Sequence, residues 1–581
     1  MATDQFVLGV DYGTESGRAV VVRVRDGALA GAATVPYPDG VITERLPLRG
    51  GRALPPAWAL QNPRDYLLVV EKAIPRALRA AGVKGERVIG IGTDFTCSTP
   101  LPATADGTPL CFLPAHRAEP HAWVKLWKHH AAQPQADRIN EIGQARGEEF
   151  VKIYGGRYSA EWFFSKLLQV AEEAPAIHAA TGRWIEAADW IAWQLCGEEK
   201  RSTCAAGYKA MWVGNSRRSG SFPPPSFFRA LHPGLERVIG TLVPTTYYPL
   251  GGRAGGLTPY WAAKTGLKAG TPVAVGHVDA HAAVPACTVT KPGRMVMVMG
   301  TSICHLLLGA ERRFVEGMCG VVEDGVIPGQ WGYEAGQSAV GDIFAWYFAQ
   351  AVPARAEREA RRAGLALAAW LEREAAAVPP GAGGLLALDW WNGNRSVLVN
   401  ADLSGLLLGL GLETRSEEIY RALIEATAFG TRQIIAAFES QGVAVESLYA
   451  CGGLPEKNEL LMQIYADATG REIFVARHAQ ATSALGAAMH AAVAAGGRSG
   501  GYDSITAAAR AMAGLRKKTF QPKKEAQTIY NRLFDEYRSL HDYFGRGGNS
   551  IMKRLKALRD ECRRGQPAPR RAGRAAAPGV P

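Results

Sequence analysis

The first segment that could carry chemistry follows an apolar strand near the N-terminus. Asp11 and Tyr12 lead into the turn Gly13-Thr14-Glu15-Ser16. A turn of this kind exposes backbone N–H groups, glycine lets a phosphate approach closely, and the hydroxyl of Thr14 adds a donor. Asp11, at the end of the strand, is suited to hold a hydrated Mg²⁺. A plain β-hairpin has the same composition, and this segment alone does not decide between the two interpretations.

A second turn of this type comes much later, at Gly300, Thr301 and Ser302. Residues 6–24 and 293–309 both have the pattern strand, turn, strand, which indicates an internal duplication of one α/β unit. Two facing turns can hold a polyphosphate from both sides, and this favours the phosphate interpretation. The sequence contains neither GxxxxGK[ST] nor GxGxxG, so a P-loop or a dinucleotide-binding fold is not indicated.

A third glycine-rich turn contains Gly452 and Gly453, after an apolar strand and before Asn458 at a helix start. Paired glycines would allow an adenine ring to lie against bare backbone. An ordinary strand-to-helix turn has the same pattern, and the residues alone favour that reading.

The segment His277-Val278-Asp279-Ala280-His281 has two interpretations. In one extended strand its polar side chains would point to one side, as metal ligands do. Alternatively, the strand ends at Gly276 and Asp279 starts a helix, where its carboxylate would cap the helix or act as a base. No further His or Cys cluster completes a metal site, so we do not expect zinc.

Two charged residues, Lys209 and Glu334, stand among Trp, Tyr and Gly, which together form polyol-binding walls. A surface charge beside a core aromatic gives the same pattern and is the better interpretation from the residues alone. Trp127 belongs to the segment 123–133, which is typical either of an aromatic sugar shelf or of an amphipathic helix.

Strands alternating with helices predict an α/β protein that positions these segments. The pattern predicts strand, turn, helix and strand over 446–475, with Gly470 as a helix cap, a small-residue helix over 481–496, and a long helix near 354–377. The length of 581 residues implies two large domains. We expect them at 1–285 and 286–545, followed by a basic, disordered tail at 546–581.

The formal charge of +12 is concentrated near the C-terminus, since residues 551–581 contain nine Lys or Arg and two Asp or Glu. A Pro-, Ala- and Arg-rich tail of this kind is typical of a solvated segment, and we do not expect nucleic-acid binding. The nine cysteines are scattered without a CxxC pair, which argues against structural zinc and disulfides. Neither a signal peptide nor a membrane-spanning run is evident, so a cytoplasmic protein is expected.

The chain resembles the FGGY family of carbohydrate kinases over residues 6 to about 545. The motifs that carry the resemblance are DYGTESGR (11–18), GTDFTCSTP (92–100), WVKLWKHHAA (123–132), YGGRYSAEWFFSK (154–166), CAAGYKAMW (204–212), GHVDAHAAV (276–284), VMGTSICHL (298–306), YEAGQSAVGDIFAWY (333–347), WWNGNRS (390–396), ATAFGTR (426–432) and CGGLPEKN (451–458). They occur in family order, and within the family they are most like members that phosphorylate ketopentoses.

The resemblance implies an α/β fold of two actin- or hexokinase-like (ribonuclease H-like) domains with an ATP and sugar cleft between them. It implies ATP and Mg²⁺ as cofactors, with Asp279 as the catalytic base and Asp11 bound to Mg²⁺ through water. The implied sugar contacts are Thr96, Trp127, Lys209, Asp279 and Glu334. The implied nucleotide contacts are Gly13, Thr14, Gly300, Thr301, Ser302, Gly341, Gly452, Gly453 and Asn458.

The expected reaction is phosphorylation of L-ribulose at its C5 hydroxyl, with ribitol, D-ribulose, xylulose or glycerol as alternative acceptors. Actin-like filaments and ATP-driven chaperones share the architecture, but they need no carboxylate base beside a polar pocket. A metal-dependent hydrolase using His277 and His281 would require bound zinc. Small molecules are the expected partners, without nucleic acid or membrane, and a homodimer is compatible with the family.

Overall fold

Two seven-stranded mixed sheets form the framework of the protein. The computed structural model describes residues 4–214 and 221–563. The strands of the first sheet lie between residues 6 and 278 and those of the second between residues 294 and 520. Helices connect and cover both sheets, as the alternation of strand and helix patterns predicted. In the two described ranges, no helix is both long enough and apolar enough to cross a membrane.

The first sheet brings three chain segments to one edge. Its strands are β1 (Phe6–Tyr12), β2 (Ser16–Arg23), β3 (Leu29–Pro36), β5 (Val88–Phe95), β9 (Arg253–Gly256), β10 (Pro272–Ala274) and β11 (His277–Val278). β1 and β11 both run parallel to β5, with Asp11 and His277 opposite Asp94. The carboxyl ends of these strands therefore meet, at the edge where open α/β sheets bind ligands.

The second sheet repeats this arrangement. Its strands are β12 (Arg294–Met299), β13 (Ile303–Gly309), β14 (Gly320–Glu323), β15 (Trp331–Gln337), β18 (Ser447–Cys451), β19 (Ile473–Ala476) and β20 (Leu515–Phe520). The hairpin β12–β13 corresponds to β1–β2, and β12 runs parallel to β18 with Val298 opposite Cys451. The turns that follow β12 and β18 are therefore neighbours.

Short two-stranded sheets and helices complete the fold. The short strands pair as β4 (Leu60–Gln61) with β7 (Val124–Lys125), β6 (Pro100–Ala103) with β8 (Arg183–Glu186), and β16 (Leu386–Leu388) with β17 (Leu406–Leu408). The helices are α1 (Pro63–Ala81), α2 (Gln133–Arg146), α3 (Glu149–Ile153), α4 (Phe163–Glu173), α5 (Pro175–Ala180), α6 (Ala187–Cys196), α7 (Thr203–Lys209), α8 (Pro225–Leu231), α9 (Val238–Thr241), α10 (Pro259–Thr265), α11 (Asp279–Ala286), α12 (Gly341–Gln350), α13 (Ala354–Arg362), α14 (Leu367–Ala377), α15 (Ser416–Ser440), α16 (Leu454–Lys457), α17 (Glu459–Thr469), α18 (Thr482–Ala495), α19 (Ile505–Met512), α20 (Lys524–Gly545) and α21 (Ile551–Arg563).

The small-residue helix α18, from the last third of the chain, packs on the first sheet. A Cβ added to Gly9 or Gly92 would lie 1.8 or 2.0 Å from backbone oxygens of α18, so only glycine permits this approach. Helix α1 packs on β2 and β3 through Gly17 and Gly31. Since Gly9 and Gly17 face opposite sides of the sheet, α18 and α1 cover its two faces. The core of the first half is thus completed by residues 482–495.

One helix prediction was wrong, and one of the two interpretations of the segment 123–133 is not observed. The single helix expected over 354–377 is divided into α13 and α14, because Gly364 adopts a left-handed φ of 67° and ends the first helix. The segment 123–133 is not an amphipathic helix. It forms the short strand β7 and then an irregular stretch as far as Gln133, where α2 begins.

The tail expected to be disordered from residue 546 onwards is helical in its first part. Helix α21 covers Ile551–Arg563, and Met552 is 7% exposed, so this helix has an apolar contact with the body of the protein. The Pro- and Ala-rich run that suggested disorder begins only after this helix. The remainder of the tail, 564–581, lies outside the described residues.

Candidate active site

Asp279 is the first residue of α11, where the carboxyl edge of the first sheet opens into the cleft. The structure follows the second interpretation of 277–281 in that a helix begins at Asp279, but the preceding strand β11 ends at Val278 and not at Gly276. The carboxylate accepts a hydrogen bond of 2.7 Å from the Ala280 N–H. Burial, together with the charges of Asp11 and Glu334, outweighs this bond and raises the Asp279 pKa to about 7. A carboxyl group with this pKa can accept a proton near neutral pH.

Two further carboxyl groups lie beside Asp279. Asp11 is the penultimate residue of β1 and stands opposite Asp94, which is fully buried in β5. Burial raises the pKa of Asp11, and burial together with the charges of Asp11 and Asp279 raises the pKa of Asp94 well above its usual range. Neighbouring buried carboxyls resist losing all their protons, and a cation at this point would relieve that repulsion.

The carboxylates suit a hard cation such as Mg²⁺, which prefers oxygen ligands. Among the residues that the structure describes, no group of three or more His, Cys, Asp or Glu side chains has the geometry of a complete metal site. Asp11 and Asp94, which stand opposite each other, offer carboxylate oxygens of the kind that such a cation prefers. His277 and His281, the ligands of the zinc alternative, lie on two different elements, β11 and α11, and not on one extended strand.

Three hydrogen bonds hold the first glycine-rich turn in place. Gly13 donates its N–H to the carbonyl of Ser16 at 3.0 Å and closes the β1–β2 turn. Gln61 Nε2 donates to the Thr14 carbonyl at 2.7 Å, and the Trp127 indole N–H donates to Thr14 Oγ1 at 3.1 Å. Trp127, predicted as a sugar contact, is thus connected directly to the turn predicted to hold phosphate.

The second turn has the same internal bond, from the Gly300 N–H to the Ser302 carbonyl at 2.9 Å. The start of α12 supports it, because Gly341 N–H donates to the Gly300 carbonyl at 3.1 Å. A Cβ on Gly341 would lie 2.6 Å from that oxygen, so the contact requires glycine. Gly341 therefore packs directly against the backbone of Gly300 and Thr301.

The third turn lies against the second. Gly452 has a φ of 92°, and a Cβ there would lie 2.2 Å from the carbonyl oxygen of Met299. Gly452 therefore packs against the residue that precedes Gly300, and Gly453 follows it in the turn. Both polar atoms of the Asn458 side chain are hydrogen-bonded within the protein. Its Oδ1 accepts from the Leu461 N–H at 2.7 Å, and its Nδ2 donates to the Tyr420 hydroxyl at 2.9 Å.

Lys209 and Glu334 meet across the cleft. Lys209 Nζ lies 2.8 and 2.9 Å from the two carboxylate oxygens of Glu334, and the residues are 5% and 7% exposed. Burial alone would raise the Glu334 pKa, but the Lys209 ammonium reverses this and lowers it to about 2. His281 Nε2 lies 3.4 Å from the same carboxylate. The surface-charge interpretation of Lys209 and Glu334 was therefore wrong.

The segment 154–162 fixes Lys209, a role that the sequence did not reveal. The Tyr158 hydroxyl donates to the Lys209 carbonyl, and the Tyr154 hydroxyl donates to the Gly207 carbonyl at 2.7 Å. The Lys209 ammonium lies 5.1 Å from the centre of the Trp162 ring, within the range of a cation–π contact. The density of aromatic residues in YGGRYSAEW was the only available signal.

The loop after β5 forms another wall of the cleft. Thr96 is 9% exposed, and its hydroxyl lies 3.2 Å from that of Thr99. The charges of Lys209 and Glu334 act on the Cys97 thiol, which places Cys97 near that ion pair. Ser98 has a φ of 61°, and its carbonyl accepts a 2.6 Å hydrogen bond from Lys166 Nζ. This buried lysine, also missed in the sequence, therefore holds a strained loop beside the sugar-binding candidates.

Comparisons with known proteins agree with this architecture. A profile of the "FGGY family of carbohydrate kinases, C-terminal domain" matches residues 295–495. The chain is 56% identical over 559 residues to a ribulokinase of Geobacillus thermodenitrificans, covering 96% of this chain and 98% of that protein. It is 50% identical over 560 residues to a ribulokinase of Mycolicibacterium smegmatis, covering 96% and 97%.

Solved structures share the fold at low sequence identity. The xylulose kinase of Rhodospirillum rubrum aligns with a TM-score of 0.72 and 23% identity, over 92% of this chain and 98% of that chain. The gluconate kinase of Lactobacillus acidophilus aligns with a TM-score of 0.75 and 15% identity, over 94% and 99%. These likenesses confirm the expected α/β fold of two actin-like domains. Together with the sequence identity to the two ribulokinases over nearly the whole chain, they establish that the chain belongs to the FGGY family of carbohydrate kinases.

Proposed function

We propose that the protein transfers the γ-phosphoryl group of ATP to the C5 hydroxyl of L-ribulose, giving L-ribulose 5-phosphate and ADP. The observation that carries this proposal is that Asp279, at the start of α11, has a pKa of about 7 and is acted on both by Asp11, beside the first glycine-rich turn, and by the Lys209–Glu334 pair. Asp279 accepts the hydroxyl proton while the sugar oxygen bonds to the γ-phosphorus. The bond from that phosphorus to the bridging oxygen of ADP breaks, and ADP leaves.

The turns and the cleft supply the remaining parts of the mechanism. Phosphoryl transfer needs mainly positioning and neutralisation of charge. We assign the N–H groups of Gly13, Thr14, Gly300, Thr301 and Ser302 to the phosphates, and the region of Gly452 and Gly453 to the adenosine. Gly341 supports the second turn from within the fold, and the Asn458 side chain caps α17, which follows the third turn. When bound near Asp11, Mg²⁺ would add positive charge beside the phosphates.

We assign the sugar and the first phosphate turn to residues 1–285 and the nucleotide to 286–545. In this assignment the sugar is surrounded by Lys209, Thr96 and Trp127 of the first range and, from the second range, by Glu334. The two bonds that Lys209 makes to Glu334 leave a further N–H on the ammonium and lone pairs on the carboxylate for sugar hydroxyls. The curated relatives that cover nearly the full chain are ribulokinases, which supports a pentulose as acceptor.

A coupled assay of ADP release over L-ribulose, D-ribulose, ribitol, D-xylulose and glycerol tests the substrate. We expect the highest kcat/KM for L-ribulose and the lowest for glycerol, because a short polyol leaves buried polar groups unpaired. Discrimination among the pentuloses should be weaker than discrimination against glycerol. A preference for D-xylulose or glycerol would overturn the substrate assignment but not family membership. Sedimentation velocity tests the homodimer separately.

A further inference from the structure

Two ion pairs of opposite polarity cross the cleft. In the first pair, the cation Lys209 belongs to the first half of the chain (1–285) and the anion Glu334 belongs to the second half (286–545). In the second the order is reversed, since Arg395 Nη2 faces Oε2 of Glu161, which belongs to the first half of the chain. The first pair is short and bidentate, whereas the second is 3.8 Å long. The charges of Lys209 and Glu334 are therefore in direct hydrogen-bonding contact, whereas those of Arg395 and Glu161 are not.

Arg395 lies on the same face of the second sheet as Glu334. A Cβ on Gly336 would be 3.0 Å from Arg395 Cδ, so the arginine stem crosses β15 at Gly336, two residues after Glu334. Side chains two residues apart on a strand point to the same side. Cys304 stands opposite Gly336 in the neighbouring strand. The guanidinium is thus a neighbour of the Glu334 carboxylate at the floor of the cleft, and its charge acts on Glu334 and Cys304.

The hydrogen-bonding capacity of this guanidinium is not used by its carboxylate partner. The distance of 3.8 Å to Glu161 is beyond hydrogen-bonding range, and the side chain is 24% exposed. Glu161 is instead hydrogen-bonded through Oε1 to His130 Nε2 at 2.8 Å. An arginine carries several N–H donors in a fixed planar fork, and donors inside a protein need acceptors. Among the residues that the structure describes, none accepts a hydrogen bond from Arg395, so its N–H groups are open to a molecule in the cleft or to the solvent that occupies it.

We propose that Arg395 binds the sugar substrate by donating hydrogen bonds to its hydroxyl or carbonyl oxygens. This inference rests on the proposed function and adds a sugar contact from the second half of the chain. The location favours the sugar over the nucleotide phosphates, because the surroundings of Arg395 belong to the sugar side of the cleft. Its neighbour Glu334 holds Lys209, and its partner Glu161 precedes Trp162, which contacts Lys209.

Three variants test this proposal: Arg395→Gln, Arg395→Lys and, as the matched control, Glu161→Gln. Glu161→Gln removes the carboxylate partner and leaves the guanidinium in place. The measurements are KM for sugar and for ATP, and the Kd of the sugar alone by tryptophan fluorescence. Arg395→Gln should raise the KM and Kd for sugar roughly 10- to 100-fold, as expected for lost hydrogen bonds to a charged donor. The KM for ATP should change less than about threefold, and Glu161→Gln should stay near wild type.

Two other outcomes would overturn the proposal. Equal losses in Arg395→Gln and Glu161→Gln would show that the ion pair only holds the halves together. A rise mainly in the KM for ATP would assign Arg395 to the phosphates. If Arg395→Gln does not fold, Arg395→Lys decides, since it keeps the charge but loses the planar fork and should raise the KM for sugar alone. The sugar used is the one that the wild-type enzyme phosphorylates best, so failure of the L-ribulose assignment is seen first and separately.

Discussion

Trp127 donates its indole N–H to the Thr14 hydroxyl at 3.1 Å and thereby connects the sugar side of the cleft to the first phosphate turn. A side chain expected to contact only the sugar thus also holds the turn that we assign to the phosphates. Binding of one substrate is therefore expected to affect the position of the other through this bond.

Replacement of Trp127 by Phe keeps an aromatic ring and removes the N–H. We expect the KM for ATP and the KM for sugar both to rise several-fold, because a lost hydrogen bond of this type is worth about 1 kcal/mol. Trp123→Phe is the matched control. The Trp123 indole N–H donates to the Arg117 carbonyl at 2.9 Å, and neither residue is assigned to a substrate. Steady-state kinetics with each substrate varied would show the difference. Equal effects of the two variants would argue against a role for the Trp127–Thr14 bond.

Asp279→Asn should lower kcat by at least ~10²-fold while binding of ATP and sugar stays close to wild type, because a positioned base contributes about that much. Single-turnover kinetics and equilibrium binding would separate the two effects. Near-normal turnover in this variant would exclude Asp279 as the base.

The pH profile of the wild-type enzyme should show an acidic limb with an apparent pKa near 7, below which Asp279 is protonated and cannot accept a proton. This limb should be absent from the residual activity of Asp279→Asn. A limb near the ordinary aspartate pKa would show that the carboxylate is better solvated than its surroundings suggest.

The same shift has a consequence for stability. Because folding raises the Asp279 pKa from 3.8 to about 7, the native state binds more protons than the unfolded state between these values. The contribution of Asp279 to stability therefore falls as the pH rises through this window. Asp279→Asn should raise the Tm relative to wild type at pH 8, and the gain should shrink towards pH 5. Thermal denaturation at both pH values measures this, and a variant less stable at pH 8 would contradict it.

Lys209→Met and Glu334→Gln should each raise the KM for sugar far more than the KM for ATP. Each single change leaves a buried charge without its partner, which costs roughly 3–5 kcal/mol of folding stability. The double variant should be more stable than the sum of the single losses predicts, because it removes both charges. Urea denaturation of all four proteins gives the coupling. Simple additivity would mean that the ion pair is not formed in solution.

Removal of residues 566–581 should leave kcat and folding unchanged, because the segment has no apolar periodicity. Removal from residue 551 onwards should lower the Tm, because it also deletes the contact made by Met552 in α21. Activity assays and thermal denaturation of both truncations distinguish these effects. Loss of activity in the shorter deletion would show that the terminal segment takes part in function.

Local patterns predicted the local features of the site. The two hairpin turns and the strand–turn–helix at 446–475 follow from residues adjacent in sequence, whereas the segment 277–281 allowed both a strand and a helix that starts at Asp279. Interactions between distant segments were not accessible in this way. Lys209 and Glu334 were noticed only as charges among aromatics, since their pairing depends on packing over 125 residues of sequence separation. Arg395 and Lys166 gave no signal for the same reason, and the error at Gly364 shows that one left-handed glycine can outweigh a strong helical pattern.

Helix α18 has a consequence for how the chain acquires its structure during synthesis. The face of the first sheet that contains Gly9 and Gly92 stays uncovered until residues 482–495 have been made, although its strands are complete by residue 278. The same helix approaches α11 so closely that a Cβ on Gly486 would lie 1.7 Å from the Ala282 carbonyl oxygen. The helix that begins with Asp279 therefore gains its final support late in translation. The nascent first half thus exposes an apolar surface to chaperones and to aggregation, and a separately expressed fragment 1–285 would keep that surface.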